Sequence, residues 1–374
     1  MNDRAQTAGV SRRAFLARAA SAGVGAAALG GLLPRVAAGQ PARKVSLTLA
    51  WLAQGNTAYS LVAKEKGFWS KRGLDVDISR GFGSTATVQA MGAGKFNFGL
   101  AAAPSIMLGA AKGLPLLGLG PTSYSTTMGI VVLADSPIAR PRDLEGKTLG
   151  VVPASVEAPF LPAYGKVAGF DFGKVQTVHV DNKVLEQVLI QKSVDAISAT
   201  ATSSLPKFVS RGVPIRFLLF QEHGLDLYGI TVVTQKALVA REPELCQQFV
   251  DGLFEGIAFT LLNPAESLEI FFRVVPEEGL TPSSREFTKL GLGLYHYTVL
   301  SDEARKGGLG WADPKRLAEN ADLIMRYVAE AGTPRPEPDS VFTSRFAGRI
   351  KLTPEQWTQA ERNVAPFAKY LRPS

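Results

Sequence analysis

The sequence predicts an α/β protein of two doubly wound lobes joined by two crossover strands, with a helical C-terminal extension. Three observations carry this expectation. From Val45 onward, short β-branched runs alternate with helical patterns, the order that parallel strands require because each is reached through a crossover helix. Excluding the N-terminal stretch, roughly 335 residues remain, more than one ordinary hydrophobic core serves, so two domains are expected. Finally, MGIVVLADSPI from Met128 and YGITVVTQKAL from Tyr228 are alike, each a Gly followed by a short β-branched strand, and they bracket a self-contained α/β stretch. If the chain crosses at about 131–135 and returns at about 228–234, the first lobe comprises residues 43–133 and 229–374 and the second residues 134–228.

The elements follow in order. VSLTLAW from Val45 reads as a buried strand, and AYSLVAKEKGFWSKRG as a helix with Ala58, Leu61, Val62 and Trp69 on one face, ended by Gly73. LDVDIS alternates with period two, as a strand does. STATVQAMGAG is helical with Ser84 or Thr85 as its cap, FNFGLA a strand, PSIMLGAAKG a helix and PLLGLGPT a strand. In the second lobe the strands are KTLGVV, VQTVHV, VDAISA and PIRFLLF, and the helices between them SVEAPFLPAYGKVAG, NKVLEQVLIQKS and SSLPKFVSRG. Beyond Leu238 the patterns are helical, including PELCQQFVDGLFEGIAFTLL, PAESLEIFFRVV and the amphipathic DPKRLAENADLIMRYVAEAG ended by Gly332; these are expected to pack back on the first lobe.

The N-terminal stretch has a different logic. SRRAFLARAASAGVGAAALGGLLPRVAAGQPA, from Ser11, opens on paired arginines, continues in a run of mostly Ala and Gly interrupted by Arg18, and ends in small residues. A membrane-spanning helix needs about 20 strongly apolar residues, so the run reads as a removable export signal of the twin-arginine type, residues 1–38, cut after Ala38. The periplasm is then the expected compartment. With no Cys near the cut, a lipid anchor on the mature chain is not expected.

Composition narrows the function. Of the formal net charge of +8, half lies in the signal, where five arginines face one aspartate; no basic run with interleaved aromatics appears, which argues against nucleic-acid binding. Cys246 is the only cysteine and sits in a helical pattern as a buried thiol, so neither a disulfide scaffold nor a Cys-based metal site is available to one chain. His179, His223 and His296 are isolated, with no paired-His, H-E-x-x-H or G-x-S-x-G spacing, and the glycine pairs complete no dinucleotide fingerprint. No catalytic set, metal or cofactor is expected.

Open α/β sheets bind ligands beyond the carboxyl ends of their strands, and clefts between domains are preferred pockets. Reading off the strand ends gives Trp51, Gln54, Asn56 and Tyr59 after the first strand; Gly83, Ser84 and Thr85 after the second; and Ala102 and Ser105 after the third. The second lobe adds Pro153, Ser155, Asp181, Thr200 and Thr202. Most are small or hydroxyl-bearing and lead into a helix, whose first N–H groups suit an anion or a carbonyl. Each hydroxyl has an alternative role as a helix cap. Trp51, followed by amide side chains, can stack on a flat ligand while they hydrogen-bond its edge.

AYSLVAKEKGFWSKRGLDVDI followed by GSTATVQAMGAGKFNFGLAAAPSIMLGAAKGLPL resembles the first lobe of periplasmic solute-binding proteins of the sulfonate, nitrate, taurine and thiamine-precursor type, and PRDLEGKTLGV with VLIQKSVDAISAT resembles their second lobe. The resemblance spans about residues 45–272. It implies the periplasmic binding protein type II fold, a monomer that closes on one small molecule (a sulfonate, carboxylate, aromatic or pyrimidine-like solute) and delivers it to the permease of an ABC importer. The alternative is a same-fold enzyme of the desulfinase or thiamine-pyrimidine synthase type. The synthase branch carries a cysteine-rich segment and an active-site histidine, whereas this chain has AQGNTAY in its first loop and no cysteine cluster.

Overall fold

A computed structural model describes residues 41–371, so the predicted export signal and its cut after Ala38 lie outside the described residues. In chain order the first lobe begins with β1 (Arg43–Thr48), α1 (Ala58–Glu65), β2 (Leu74–Ser79), α2 (Ser84–Gly92), β3 (Phe98–Ala102), α3 (Ala103–Ala111) and β4 (Leu116–Pro121). The second holds β5 (Met128–Leu133), β6 (Thr148–Val151), α4 (Leu161–Ala168), β7 (Gln176–His179), α5 (Leu185–Ile190), β8 (Ala196–Thr200), α6 (Ala201–Val209) and β9 (Ile215–Leu219). Then come β10 (Ile230–Gln235), α7 (Lys236–Arg241), α8 (Pro243–Leu262), α9 (Pro264–Val274), α10 (Pro282–Val299), α11 (Asp302–Gly307), α12 (Pro314–Tyr327), α13 (Pro338–Val341) and α14 (Pro354–Val364).

The two sheets share one plan. The first has strand order β2-β1-β3-β10-β4 and the second β7-β6-β8-β5-β9. In each, four strands run in one direction and the strand in the fourth position is antiparallel to both neighbours: β10 against β3 and β4, β5 against β8 and β9. The two similar sequences therefore fill the same place in different sheets, which is why they look alike. This moves the predicted lobe boundary. The β5 strand belongs to the second sheet, so the chain leaves the first lobe in residues 122–127 rather than at 131–135, and the return runs through residues 220–229. The two crossings bond to each other, Thr126 N donating to Leu227 O and Gly229 N to Ser123 O, both at 3.1 Å.

Local chemistry explains the element limits. Helices α8, α9, α10, α12 and α14 all open on Pro, whose missing N–H costs nothing at a helix start. Thr281, Ser301, Asp313 and Thr353 cap helices by accepting from backbone N–H groups. The predicted long helix from Ala58 stops at Glu65, with a short 3-10 turn at Ser70–Arg72 closed by Gly73 at φ 74°. Pro159 and Pro162 delay the helix expected from Ser155 until Leu161, and the amphipathic helix expected to reach Gly332 ends at Tyr327.

The C-terminal helices do not rest on the first lobe alone. Leu294 of α10 and Leu371 pack with Ala201, Leu205 and Leu219 of the second lobe. The turn before α12 grips both crossings: Gly310 N donates to the Tyr124 hydroxyl at 3.2 Å, and Asp313 N to the Tyr228 hydroxyl at 2.9 Å. Tyr228 also donates to the Glu303 carboxylate, and Arg316 ties Glu303 (2.8 Å), Asp226 (3.1 Å) and the Tyr124 carbonyl (2.9 Å) together.

Candidate ligand-binding cleft

Between the two sheets lies a cavity of about 80 Å³. Both lobes and the C-terminal helix α10 contribute walls.

The first-lobe wall is built at the ends of β1 and β2. Trp51 leaves the end of β1 half-buried and packs across the cleft against the apolar cluster of Val152, Leu185 and Ala199. Asn56 spans the same gap: its Nδ2 donates to Ser203 Oγ at 3.1 Å, while its Oδ1 is buried without a partner. Tyr59 forms the floor with Tyr295 of α10, the rings stacked at 4.6 Å between centroids. Burial pushes the Tyr59 hydroxyl up to about 12 and that of Tyr295 well above its ordinary value, so both stay protonated. Tyr295 donates to the Thr122 carbonyl at 2.8 Å and Tyr59 meets the Thr122 hydroxyl at 3.3 Å, which aims the pair from the first crossing.

Gly83 is where the lobes touch. Its φ of 121° is open to glycine, and a Cβ there would lie 2.0 Å from the Ala154 carbonyl oxygen of the second lobe. Gly83, and neither Ser84 nor Thr85, holds the cap position of α2. Both hydroxyls are spent elsewhere: Ser84 Oγ accepts from Ala102 N at 3.0 Å, and Thr85 Oγ1 donates across the cleft to the Ser155 carbonyl at 3.0 Å.

The second-lobe wall carries the one charged lining side chain among the described residues. Glu157 is 3% exposed, and one of its carboxylate oxygens accepts from the Thr200 hydroxyl. Beside it are Ser155, Ser198, Thr202, Ser203 and Ser204, with Ser198 Oγ buried and unpartnered. Behind Ser204, which donates to Glu186 at 2.7 Å, the Glu186 carboxylate is neutralised by Lys207 at 2.9 Å.

Of the residues expected at the site, Trp51, Asn56, Tyr59, Gly83, Ser84 and Ala102 line the cavity from the first lobe and Ser155, Thr200 and Thr202 from the second. Five do not line it. Gln54 is buried behind the first loop, where its backbone N–H donates to Thr57 Oγ1; Thr85 bridges the lobes beside the cavity; Ser105 is buried inside α3. Pro153 is exposed at its turn, and Asp181 faces outward and accepts from Lys183 N at 2.8 Å. Sequence reasoning missed Glu157, although it sits within the loop VPASVEA, and Ser123, Ser125, Tyr295 and Thr298, which arrive from the first crossing and from α10. Among the described residues no group of His, Cys, Asp and Glu is arranged to hold a metal, and no helix is long and apolar enough to cross a membrane.

Two lobes of this shared sheet plan, joined by paired crossings and enclosing a cavity, define the periplasmic-binding-protein fold. The alkanesulfonate-binding protein SsuA of Xanthomonas axonopodis pv. citri, solved with MOPS bound, superposes with a TM-score of 0.61 at 18% identity, over 82% of this chain and 100% of that one. The chain belongs to the NMT1/THI5-like family, whose model matches residues 54–267. It is similar to a formylaminopyrimidine-binding protein of Halalkalibacterium halodurans, 23% identical over 227 residues, 60% of this chain and 69% of the relative. Similarity to the riboflavin-binding protein RibY of Chloroflexus aurantiacus is 24% over 310 residues, 81% and 86% of the two chains. A 4-amino-5-hydroxymethyl-2-methylpyrimidine phosphate synthase of Legionella pneumophila is 22% identical over 305 residues, 80% of this chain and 94% of the relative.

Proposed function

We propose that this chain is an exported solute-binding protein that captures one small organic molecule between its lobes and delivers it, chemically unchanged, to the permease of an ABC importer. The observation that carries the reading is the enclosed cavity with walls from both lobes, bridged by the Asn56–Ser203 and Thr85–Ser155 hydrogen bonds: it needs lobe motion to load and unload. A hinge of two crossings between rigid sheets permits that motion, and the binding-protein names among the relatives support the same reading. The aromatic side chains Trp51, Tyr59 and Tyr295 in the lining favour a pyrimidine-like or aromatic solute. Export through the twin-arginine route with removal of residues 1–38, action in the periplasm and a monomeric state complete the proposal.

The binding reading is preferred over a synthase because the cavity lining contains no His, Cys, Lys or Arg, and its one carboxylate, Glu157, is engaged by the Thr200 hydroxyl. Thermal-shift screening against small organic solutes tests it. A ligand of the native state raises the melting temperature in proportion to its saturation, and the account expects at least one such compound, recovered intact after prolonged incubation. Its conversion to product by the isolated protein would assign the chain to the enzymes instead.

A further inference from the structure

Resting on the solute-binding reading, we infer that Thr127 is a strained pivot between the first crossing and the second lobe, and that relief of its strain on opening biases the empty protein towards the open form. Among the described residues only Thr127 and Lys192 combine a side chain with a positive φ, at 49° and 55°. Lys192 is exposed and follows the last turn of α5, where a left-handed residue commonly ends a helix. Thr127 has no such setting. It is buried at the end of the first crossing, one residue before β5, and is β-branched, the kind of side chain least compatible with that backbone. Its hydroxyl adds a second cost, because Oγ1 is buried without a hydrogen-bond partner.

The contacts on either side fix what this residue joins. Thr126 N donates to Leu227 O at 3.1 Å and Ser125 Oγ to Gln221 Oε1 at 2.6 Å, so both residues are held by the returning crossing. The Thr127 carbonyl accepts from Ala201 N, at the start of α6, at 2.9 Å, and Met128 opens β5, so the chain beyond the Thr127 Cα belongs to the second lobe. Its backbone torsions lie where one body hands over to the other, and hinges absorb domain rotation in a few residues at element ends. Here the lobes are together, bridged by Asn56–Ser203 and Thr85–Ser155, and both costs at Thr127 are in place. Strained torsions of this kind persist where the surroundings over-determine them. Once the lobes part, the torsions are released; a ligand that draws the lobes together has to restore them. The strain therefore subtracts from affinity and speeds release, and it sits beside the ligand, since Ser125 and Thr126 line the cavity.

Interlobe distances in the unliganded protein test the inference without any ligand. Double electron–electron resonance reads them between spin labels on Asp77→Cys of the first lobe and Lys183→Cys of the second, both exposed positions, with the native Cys246 buried. The protein with Thr127 in place is expected to show chiefly long distances and a short-distance minority. Thr127→Gly removes the hydroxyl and the Cβ that makes the φ costly, and is expected to raise the short-to-long ratio at least about fivefold. Thr127→Ala removes the hydroxyl and keeps the Cβ, and is expected to shift the ratio the same way but less far. Should Thr127→Gly fail to fold, Thr127→Ala decides the matter, a raised ratio supporting the inference and an unraised one overturning it. An unchanged or lowered ratio in Thr127→Gly overturns the inference, and so does Thr127→Ala moving as far as Thr127→Gly. A Thr127→Gly protein that melts at a higher temperature with unchanged distances places the strain in both forms and overturns it too. None of these outcomes touches the solute-binding reading, which stands or falls on thermal-shift screening.

Discussion

Thr85 isolates lobe closure from ligand contact. Its hydroxyl donates to the Ser155 carbonyl of the opposite lobe at 3.0 Å, yet Thr85 does not line the cavity, so the bond exists only while the lobes are together and no ligand shares it. In Thr85→Val the side chain keeps its shape and loses the bond. A neutral hydrogen bond contributes about 0.5–1.5 kcal/mol net, and at about 1.4 kcal/mol per tenfold that loss weakens solute affinity roughly two- to twelvefold. In the proposed cycle the open form lacks the bond, so the penalty falls on closure and is the same for every ligand. Calorimetric titration with two chemically different solutes, beside melting of the unliganded protein, reads this out. Equal weakening for both solutes is the expected result. Unchanged affinity with a lowered melting temperature would return Thr85 to a purely structural role, and weakening for one solute alone would place its hydroxyl on the ligand.

Three other outcomes follow from the same contacts. Trp51→Ala removes the wall that crosses to Val152 and Leu185, and is expected to weaken planar solutes by about tenfold or more while leaving a compact aliphatic solute less affected, as titration of the pair would reveal. Arg316→Met leaves the Glu303 and Asp226 carboxylates without their cation beside both crossings; since Arg316 is partly exposed, a loss of about 2 kcal/mol is expected in urea unfolding, partly recovered when Glu303→Gln is added. Burial holds His296 neutral, its pKa lowered to about 3. The unfolded chain takes up that proton below its ordinary value of about 6.5 and the fold does not, so stability present above pH 6.5 falls as pH drops towards 3, by about 1.4 kcal/mol per unit. Urea unfolding at pH 7 and pH 5 is expected to differ less in His296→Asn than in the wild type.

Much of the fold was legible because strands and helices have different periods. LDVDIS alternates, and β2 occupies that span, Leu74–Ser79, with buried and outward positions as the period demands. What the pattern does not carry is partnership. Met128–Leu133 and Ile230–Gln235 are both apolar central strands, covered on both faces, and nothing local says which sheet each completes. The site was legible where it depends on strand ends. Asn56, Gly83 and Ser155 follow the carboxyl ends of strands and Thr200 closes one, and the fold brings them to one cavity. Depth within a loop is a tertiary property, so Asp181 turned outward to cap its own backbone and Gln54 turned inward behind the wall. Tyr295 was hidden for another reason: it lies on a helix far along the chain, whose pattern reads only as apolar packing. Glu157 was in view in VPASVEA, but an acidic residue in a loop reads as solvated until its 3% exposure is known.

Native mass spectrometry of the protein purified from cells, before and after unfolding, tests the central claim most directly. The account predicts a one-to-one complex with one small organic molecule, released on unfolding and rebinding with its mass unchanged. A protein that carries nothing and takes up no small molecule from a cell extract, or one that returns its ligand altered in mass, would contradict it.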